Sequence, residues 1–445
     1  MITDPADTIV APATAAGGAV CLIRISGPHA IEYSDSIFRG RGPLADAHAP
    51  ALRYGTIVDA DGHTVDDVVI SLFRGPHSYT GDDTVEISCH GSQYIVSRII
   101  ALLTAAGARM AAAGEFTARA YLAGRMDLSQ AEAVADMIAA DSQAAHALAS
   151  TQMRGGYSTA LHSLRDKLLR LCSLLELELD FSEEDVAFAD RTELRRTMES
   201  IGAEIDRLAG SFALGNAIKE GVAVAIVGAP NVGKSTLLNR ILGENRAMVS
   251  EIAGTTRDTV EERRNIDGVT FRFIDTAGLH DTDDRLERMG IERTEEAISR
   301  AHIVVQLAES ADGFFDMELA EGQRLVRVLN KTDHHAAATL PDGIIAISAL
   351  RGDGVERLLE ELRAAVDTRA LYAGDAVVSS ARHRAALEAA GESLRRAMAA
   401  MDEGLPTDLL SEDIRQVIHH LGEITGEICT EEILQSIFSR FCIGK

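Results

Sequence analysis

A glycine-rich loop that follows an apolar run carries the clearest chemical signal in this sequence. It spans residues 228–236, GAPNVGKST, and the apolar run 222–227 precedes it. Such a loop turns its backbone N–H groups around phosphate oxygens, and the helix that follows adds partial positive charge. Lys234 is expected to reach the β- and γ-phosphates, and the Ser235 hydroxyl to bind Mg²⁺. The predicted nucleotide contacts here are Asn231, Val232, Gly233, Lys234, Ser235 and Thr236.

A second polar segment, NKTD at 330–333, follows another apolar run and is expected to select the base. The Asp333 carboxylate can accept hydrogen bonds from the ring N–H and the exocyclic amine of guanine, and adenine presents neither. Two charge-assisted bonds discriminate by about 10² to 10⁴. The site is therefore expected to take GTP. The predicted base contacts are Asn330, Lys331, Thr332 and Asp333, with Ser348, Ala349 and Leu350 closing over the guanine oxygen.

Two segments between these motifs are expected to respond to the γ-phosphate. In the loop GTTRD at 254–258, Thr256 is the candidate for a second hydroxyl ligand of Mg²⁺. In DTAG at 275–278, the carboxylate can hold a Mg²⁺-bound water and the Gly278 amide can face the γ-phosphate. The residues concerned are Gly254, Thr255, Thr256, Asp275, Thr276, Ala277 and Gly278.

Leu279 stands where Ras-like enzymes carry the glutamine that orients the attacking water. A factor of roughly 10³ to 10⁵ in rate must then come from elsewhere. Two features could supply it: the amide oxygen of Asn231, as ligand of a monovalent cation, and an acid within residues 281–288. The predicted chemistry is phosphoryl transfer from GTP to water.

The elements that position these groups change character along the chain. Residues 1–118 mix short β-branched runs with Gly and Pro, an α+β pattern, and 116–211 has helical periodicity. From 221 to 366, apolar strand candidates at 222–227, 270–274, 303–307, 325–329 and 344–347 alternate with helices, which predicts a parallel sheet. Helical periodicity returns after 366. The predicted fold class is multidomain α/β, with a P-loop GTPase domain inserted into an α-helical domain and an α+β domain before it.

Composition narrows the class further. The 445 residues carry a net charge of −25, which disfavours nonspecific nucleic-acid binding through bulk charge. No run approaches the about 20 apolar residues that cross a bilayer. Residues 1–20 resemble neither a secretory signal nor a transit peptide, so a cytoplasmic location without membrane association is expected. The five cysteines show no CxxC spacing, which argues against zinc or a disulfide framework, and four of them are expected to be buried.

Motifs outside the nucleotide domain resemble the MnmE family, also called TrmE, the GTPases of bacterial tRNA wobble-uridine modification. They are YTGDDTVE at 79–86, GEFTARA at 114–120, DLSQAEA at 127–133 and FCIGK at 441–445. The resemblance covers essentially the whole chain. It implies a tetrahydrofolate-binding and dimerisation domain at 1–118, a helical domain in two segments at 119–215 and 368–445, and a G domain at 216–367.

The resemblance also implies that GTP hydrolysis depends on potassium and on contact between the G domains of a homodimer. By motif matching, the potassium ligands are Asn231, Ser250, Ile252 and Thr255, and the nucleotide loop includes Glu251 and Ala253. Glu287 matches the family's water-orienting acid, and Lys234 and Gly278 would act beside it. Family members work with MnmG, an FAD protein, to attach carboxymethylaminomethyl or aminomethyl groups to uridine 34 of tRNA.

The family's folate site maps onto Arg24, Glu86, Arg125 and Lys445, and would take 5-formyl- or 5,10-methylene-tetrahydrofolate. Position 125 is usually lysine in the family, and arginine keeps the charge with a different geometry. Resemblance places Cys442 near this pocket, where it is either a catalytic nucleophile or a small structural side chain.

Two functions of other classes compete with tRNA modification. A ribosome-assembly GTPase acting as a GTP-gated RNA-binding module would carry a similar G domain. It would typically add a second G domain or a basic domain with a GxxG loop, and the sequence has neither. A membrane-remodelling GTPase would need a basic amphipathic segment.

Overall fold

The computed structural model describes residues 6–15, 17–180, 191–243, 261–274, 294–334 and 343–444, with the side chains of 177–180 and 261 left aside. Contacts divide the chain into two units, Met1–Ala135 with His419–Lys445, and Asp136–Ile418. Among the described residues no helix has the length and apolar character needed to cross a membrane.

Strands and helices are numbered along the chain. The strands are β1 Ile9–Pro12, β2 Val20–Ser26, β3 Phe38–Gly40, β4 Ala51–Val58, β5 Thr64–Phe73, β6 Thr84–His90, β7 Arg109–Met110, β8 Val222–Val227, β9 Glu261–Ile266, β10 Val269–Ile274, β11 Ile303–Ala308, β12 Arg324–Leu329 and β13 Ile344–Ala346. The helices are α1 Ala30–Ile37, α2 Gln93–Ala105, α3 Glu115–Leu122, α4 Leu128–Ala139, α5 Gln143–Met153, α6 Gly156–Asp180, α7 Arg191–Gly210, α8 Phe212–Glu220, α9 Lys234–Leu242, α10 Val355–Ala364, α11 Arg369–Ala373, α12 Ala381–Asp402, α13 Thr407–Thr425 and α14 Glu431–Phe438.

The first unit is built on a seven-stranded sheet in the order β3-β4-β5-β6-β2-β1-β7. Neighbouring strands are antiparallel except β1 and β7, which are parallel. Side chains of β5 alternate, so that Val68, Ile70 and Leu72 are buried while Asp67 and Val69 face outward, as a half-buried strand requires. The buried face packs on α1 and α2 in one apolar core.

The same unit holds the last segment of the chain. Helices α3, α4 and α14 share a small core that includes Ala118, Leu128 and Phe438. Beyond α14, Ile443 forms an antiparallel bridge with Ala113. The tail thereby lies against the segment between β7 and α3.

The second unit contains a six-stranded sheet in the order β13-β12-β11-β8-β10-β9. All pairs are parallel except β10 with β9. Strands β8 and β11 are buried along their full length, which is typical of parallel strands covered on both faces. Helices α5 to α8 precede this sheet and α12 follows it, and α5 residues such as Leu148 join its core.

The predicted fold class is confirmed. Along the chain, helices come before and after the α/β portion, and an α+β region precedes the first of these helices. The expectation of a parallel sheet is wrong at one edge. Strand β9 reads EERRNI and runs antiparallel to β10; its charged residues give no apolar run to detect.

The cysteine expectation needs one correction. Cys21, Cys89 and Cys172 are buried free thiols, but Cys429 is only half-buried. Burial raises the pKa of Cys89 to about 12, helped by the neighbouring Cys21 and Asp66.

Candidate functional site

The predicted phosphate loop joins β8 to α9 at the carboxyl end of the parallel strands. Gly228 and Gly233 have φ of +154° and +96°, values that L side chains rarely adopt. A Cβ on Gly228 would lie 2.2 Å from the Leu307 carbonyl oxygen, and one on Gly233 would lie 2.4 Å from Asn330 Nδ2. The loop can therefore keep this path only with glycine at both positions.

Lys234 begins α9 and lies over the loop that precedes it. Its Nζ donates hydrogen bonds to the carbonyl oxygens of Gly228, at 2.9 Å, and Ala229, at 3.0 Å. The first N–H groups of α9 have no partner within the helix, and the helix dipole makes this end positive. An ammonium group and a helix N-terminus thus meet at one place, as anion binding requires.

Asn330, which follows β12, connects the phosphate loop to the loop after β13. The residue is only 2% exposed. Its Nδ2 donates to the Val232 carbonyl at 2.7 Å, and its Oδ1 accepts from the Ala349 N–H at 2.9 Å. One buried amide therefore fixes two loops that the chain separates by more than a hundred residues.

Asp333 lies beside the same loop. The Ser348 hydroxyl donates to its Oδ1 at 2.8 Å. That hydrogen bond is the main reason why the pKa of Asp333 lies below the usual carboxyl value, with smaller contributions from its own backbone and from His334 and Arg351. The group is ionised at neutral pH, as an acceptor for two guanine N–H groups must be.

Lys331 and Leu350 complete the described part of this site. Lys331 has φ of 61°, and its ammonium pairs with Glu309 after β11. Leu350 is 66% exposed. Glu309 was not predicted from the sequence, and no motif marks it.

The structure brings together the predicted residues 231–236, 330–333 and 348–350. The remaining predicted nucleotide and metal residues lie outside the described part of the chain. They are Ser250, Glu251, Ile252, Ala253, Gly254, Thr255, Thr256, Asp275, Thr276, Ala277, Gly278 and Glu287.

The residues predicted to bind folate lie in the first unit, where Arg24 of β2 faces Glu86 of β6. The Arg24 guanidinium contacts Glu86 Oε1 at 2.9 Å, and both side chains are largely buried. Its Cζ lies 5.1 Å from the centre of the Tyr79 ring and 5.6 Å from that of Phe116. These two rings were not assigned to the site from the sequence, although both lie in the motifs that carry the resemblance.

The chain's tail reaches the same place. Arg24 Nη1 donates to the Gly444 carbonyl at 3.4 Å, while Lys445 lies outside the described residues. Cys442 is exposed. Arg125 is exposed, and a Cβ on Gly81 would lie 3.8 Å from its Cγ, so Arg125 runs beside the turn that follows Tyr79. Arg24 thus contacts both Glu86 and the tail. Arg125 lies beside the turn that follows Tyr79, and the Tyr79 ring packs on Arg24.

Tyr79 is held in place by Thr117. Its hydroxyl is 2.9 Å from Thr117 Oγ1. Burial raises the pKa of Tyr79, and the Thr117 hydrogen bond and the Arg24 charge only partly oppose this. The phenol is therefore neutral at physiological pH and presents its ring face to Arg24.

A glycine-rich loop before a helix, a buried asparagine that ties it to a second loop, and an ionised aspartate three residues after that asparagine are together the features of a P-loop GTPase. The chain matches the family models described as GTP-binding protein TrmE N-terminus, over residues 8–125, and MnmE helical domain, over residues 128–442.

Curated relatives agree over the full length. The tRNA modification GTPase MnmE of Cytophaga hutchinsonii is 46% identical over 464 residues, covering 100% of this chain and 99% of the relative. That of Bacteroides fragilis is 47% identical over 463 residues, covering 99% of each. The G domain of the T. maritima FeoB iron transporter is 19% identical, and the match covers 33% of this chain and 99% of that domain at a TM-score of 0.24. The chain belongs to the MnmE family of tRNA modification GTPases.

Proposed function

We propose that this chain is a potassium-dependent GTPase, activated by homodimerisation, that acts in the cytoplasm with MnmG to place carboxymethylaminomethyl or aminomethyl groups on uridine 34 of tRNA. The observation that carries the proposal is the pair of hydrogen bonds by which Asn330 joins the phosphate loop to the loop at residues 348–350, which we propose closes over the guanine. Family membership supports the tRNA substrate and the partner. The proposed domain boundaries are 1–118, 119–215, 216–367 and 368–445.

In the nucleotide site, residues 231–236 would surround the phosphates and Lys234 would move from the loop carbonyls to the β- and γ-phosphates. Ser235 and Thr256 would hold Mg²⁺, and Asn231, Ser250, Ile252 and Thr255 would hold K⁺. When bound, these ions neutralise charge that develops on the phosphate oxygens. Glu287 would orient the attacking water and the Gly278 amide would face the γ-phosphate.

The site around Arg24 suits a pterin. The Glu86 carboxylate offers a 2-amino group and an adjacent ring N–H the same acceptor pair that Asp333 offers guanine, since pterin and guanine share that edge. Arg24 would hold the Glu86 carboxylate in place for the pterin, and Arg125 and Lys445 would supply positive charge for the carboxylates of tetrahydrofolate. When bound, tetrahydrofolate would supply the one-carbon unit. Cys442 would be the nearby candidate nucleophile, and Cys442→Ser, if it keeps folate binding but loses modification, would distinguish that role from a structural one.

The deciding experiment measures modified nucleosides in tRNA by mass spectrometry, using cells that lack this gene. Loss of the modified uridine 34, restored by the intact gene but not by Lys234→Ala, is the expected result. Unchanged wobble uridines would overturn the tRNA role and favour the ribosome-assembly function.

The potassium requirement has its own test. Hydrolysis by the purified protein should be faster in KCl than in NaCl, and Glu287→Ala should abolish that stimulation at saturating GTP. Equal hydrolysis rates in KCl and NaCl would contradict the proposed potassium requirement.

A further inference from the structure

Arg240, in the last turn of α9, contacts the loop that closes over the guanine. Its Nε donates to the Ala349 carbonyl at 3.3 Å, and its Nη2 donates to the Leu350 carbonyl. A Cβ on Gly352 would lie 3.7 Å from Arg240 Cζ. One planar guanidinium thus holds two consecutive carbonyls of this loop.

The planarity of the peptide bond makes this contact relevant to the base. In a trans peptide the C=O of Ala349 and the N–H of Leu350 point in opposite directions. Because Arg240 draws the Ala349 carbonyl to its own side, the Leu350 N–H is turned to the other side.

The neighbouring N–H groups of the loop already have partners. The Ala349 N–H donates to Asn330 Oδ1 at 2.9 Å, and the Arg351 N–H donates to Ser348 Oγ at 3.2 Å. Among the described residues none accepts a hydrogen bond from the Leu350 N–H. Leu350 therefore presents the backbone donor suited to an oxygen of the base.

We propose that Arg240 is a positioning residue for guanine recognition, which orients the Leu350 N–H toward the 6-oxygen by holding the carbonyls of residues 349 and 350. The inference rests on the proposed nucleotide site. Arg240 also links the base loop to the helix that begins at Lys234, so the phosphate and base halves of the site share one rigid element.

The test measures dissociation constants of the full-length protein for GDP, 6-thio-GDP and inosine diphosphate. Sulfur in place of the 6-oxygen weakens only the contact at that position, whereas inosine diphosphate lacks the 2-amino group that Asp333 would bind. Arg240→Ala should weaken GDP binding about three- to tenfold, the value of one hydrogen bond. It should also reduce the discrimination between GDP and 6-thio-GDP, and leave that between GDP and inosine diphosphate unchanged. Arg240→Lys, with a single donor group, should fall between.

The effect of Arg240→Ala should appear in the Michaelis constant for GTP more than in the turnover number at saturating GTP, because the described contacts of Arg240 are with the carbonyls of residues 349 and 350. Arg324→Ala, which removes another exposed arginine of the same domain, paired with Glu361, is the matched control and should bind all three nucleotides normally. Equal weakening of GDP and 6-thio-GDP, or no weakening, would overturn the role of Arg240 alone. Failure of the unsubstituted protein to bind GDP would overturn the nucleotide site and this role together.

Discussion

The side-chain amide of Asn330 donates a hydrogen bond to the Val232 carbonyl over 2.7 Å. The two loops approach so closely here that a Cβ on the next residue, Gly233, would lie 2.4 Å from the same nitrogen. Asn330 also accepts a hydrogen bond from the Ala349 N–H, so the loop at residues 228–236 and the loop at residues 348–350 are held together, and a change in either affects the other.

Asn330→Ala should weaken binding of GDP and GTP by about 30-fold or more. It leaves the Val232 carbonyl and the Ala349 N–H without their buried partner, and each unsatisfied group costs about 1–3 kcal/mol. Titration with a fluorescent GDP analogue measures this. Gln416→Ala, an exposed amide bonded within its own helix to Glu412, should bind normally; a comparable loss there would show that the effect is not specific to Asn330.

Asp333→Asn should change the base preference of the site from guanine to xanthine. The asparagine amide can donate to the 2-oxygen of xanthine, whereas it cannot accept both guanine N–H groups. GTP affinity should fall by about 10² to 10⁴ and xanthosine triphosphate affinity should rise, as competition binding would reveal. Retained preference for GTP would show that another group reads the base.

His302 should make the second unit less stable in mild acid. Its Nδ1 accepts the Ala223 N–H at 3.0 Å, and burial, then the charge of Arg272, lowers its pKa below the model-peptide value of 6.5. The unfolded chain therefore takes up a proton at a higher pH than the folded chain does. The contribution of neutral His302 to the free energy of unfolding is therefore complete above about pH 6.5. It is lost as the pH falls toward the pKa of His302 in the folded chain, by up to about 1.4 kcal/mol per pH unit.

Urea unfolding of wild type and His302→Asn at pH 7.5 and pH 5.5 tests this. Asparagine keeps an acceptor but does not titrate, so the variant should lose less stability than wild type on acidification. Parallel losses would rule out His302 as the titrating group.

Glu115→Gln should destabilise the first unit by about 3–5 kcal/mol, the usual effect of removing one partner from a buried ion pair. Glu115 contacts Arg109 at 2.7 Å and Arg119 at 3.3 Å, and its side chain is 3% exposed. Denaturant unfolding gives the free energy. Glu388→Gln breaks an exposed pair with Arg384 and should cost about 0–1 kcal/mol; similar values for both would contradict the importance of burial.

Gly444→Ala should weaken folate binding by tenfold or more while leaving GTP hydrolysis intact. Gly444 has φ of +99°, and a Cβ there would lie 2.1 Å from the Pro12 carbonyl oxygen, so the tail would have to leave its position beside Arg24. Isothermal titration with 5-formyl-tetrahydrofolate is the measurement. Gly62→Ala, with φ of +83° but nothing within 4 Å, carries a similar backbone penalty and should bind folate normally.

The sequence by itself determined the local elements and the nucleotide motifs. Buried strands such as β8 and β11 are continuous apolar runs, and the polar residues that follow strands define the loops at their carboxyl ends, so residues 228–236 and 330–333 could be assigned without a structure. Resemblance to the family's motifs added the residues that we propose bind folate. Strand β9 escaped detection because its pairing with β10, not an apolar pattern, makes it a strand.

Only the tertiary structure decided which side chains meet. Asn330 joins two loops distant in the chain, the Tyr79 and Phe116 rings enclose Arg24, and Arg240 reaches two backbone carbonyls. None of these contacts has a periodic sequence signal, because each depends on where separate elements are placed in space. Hydrogen bonds and ring contacts need positions accurate to a fraction of an ångström, and long-range packing alone fixes such positions.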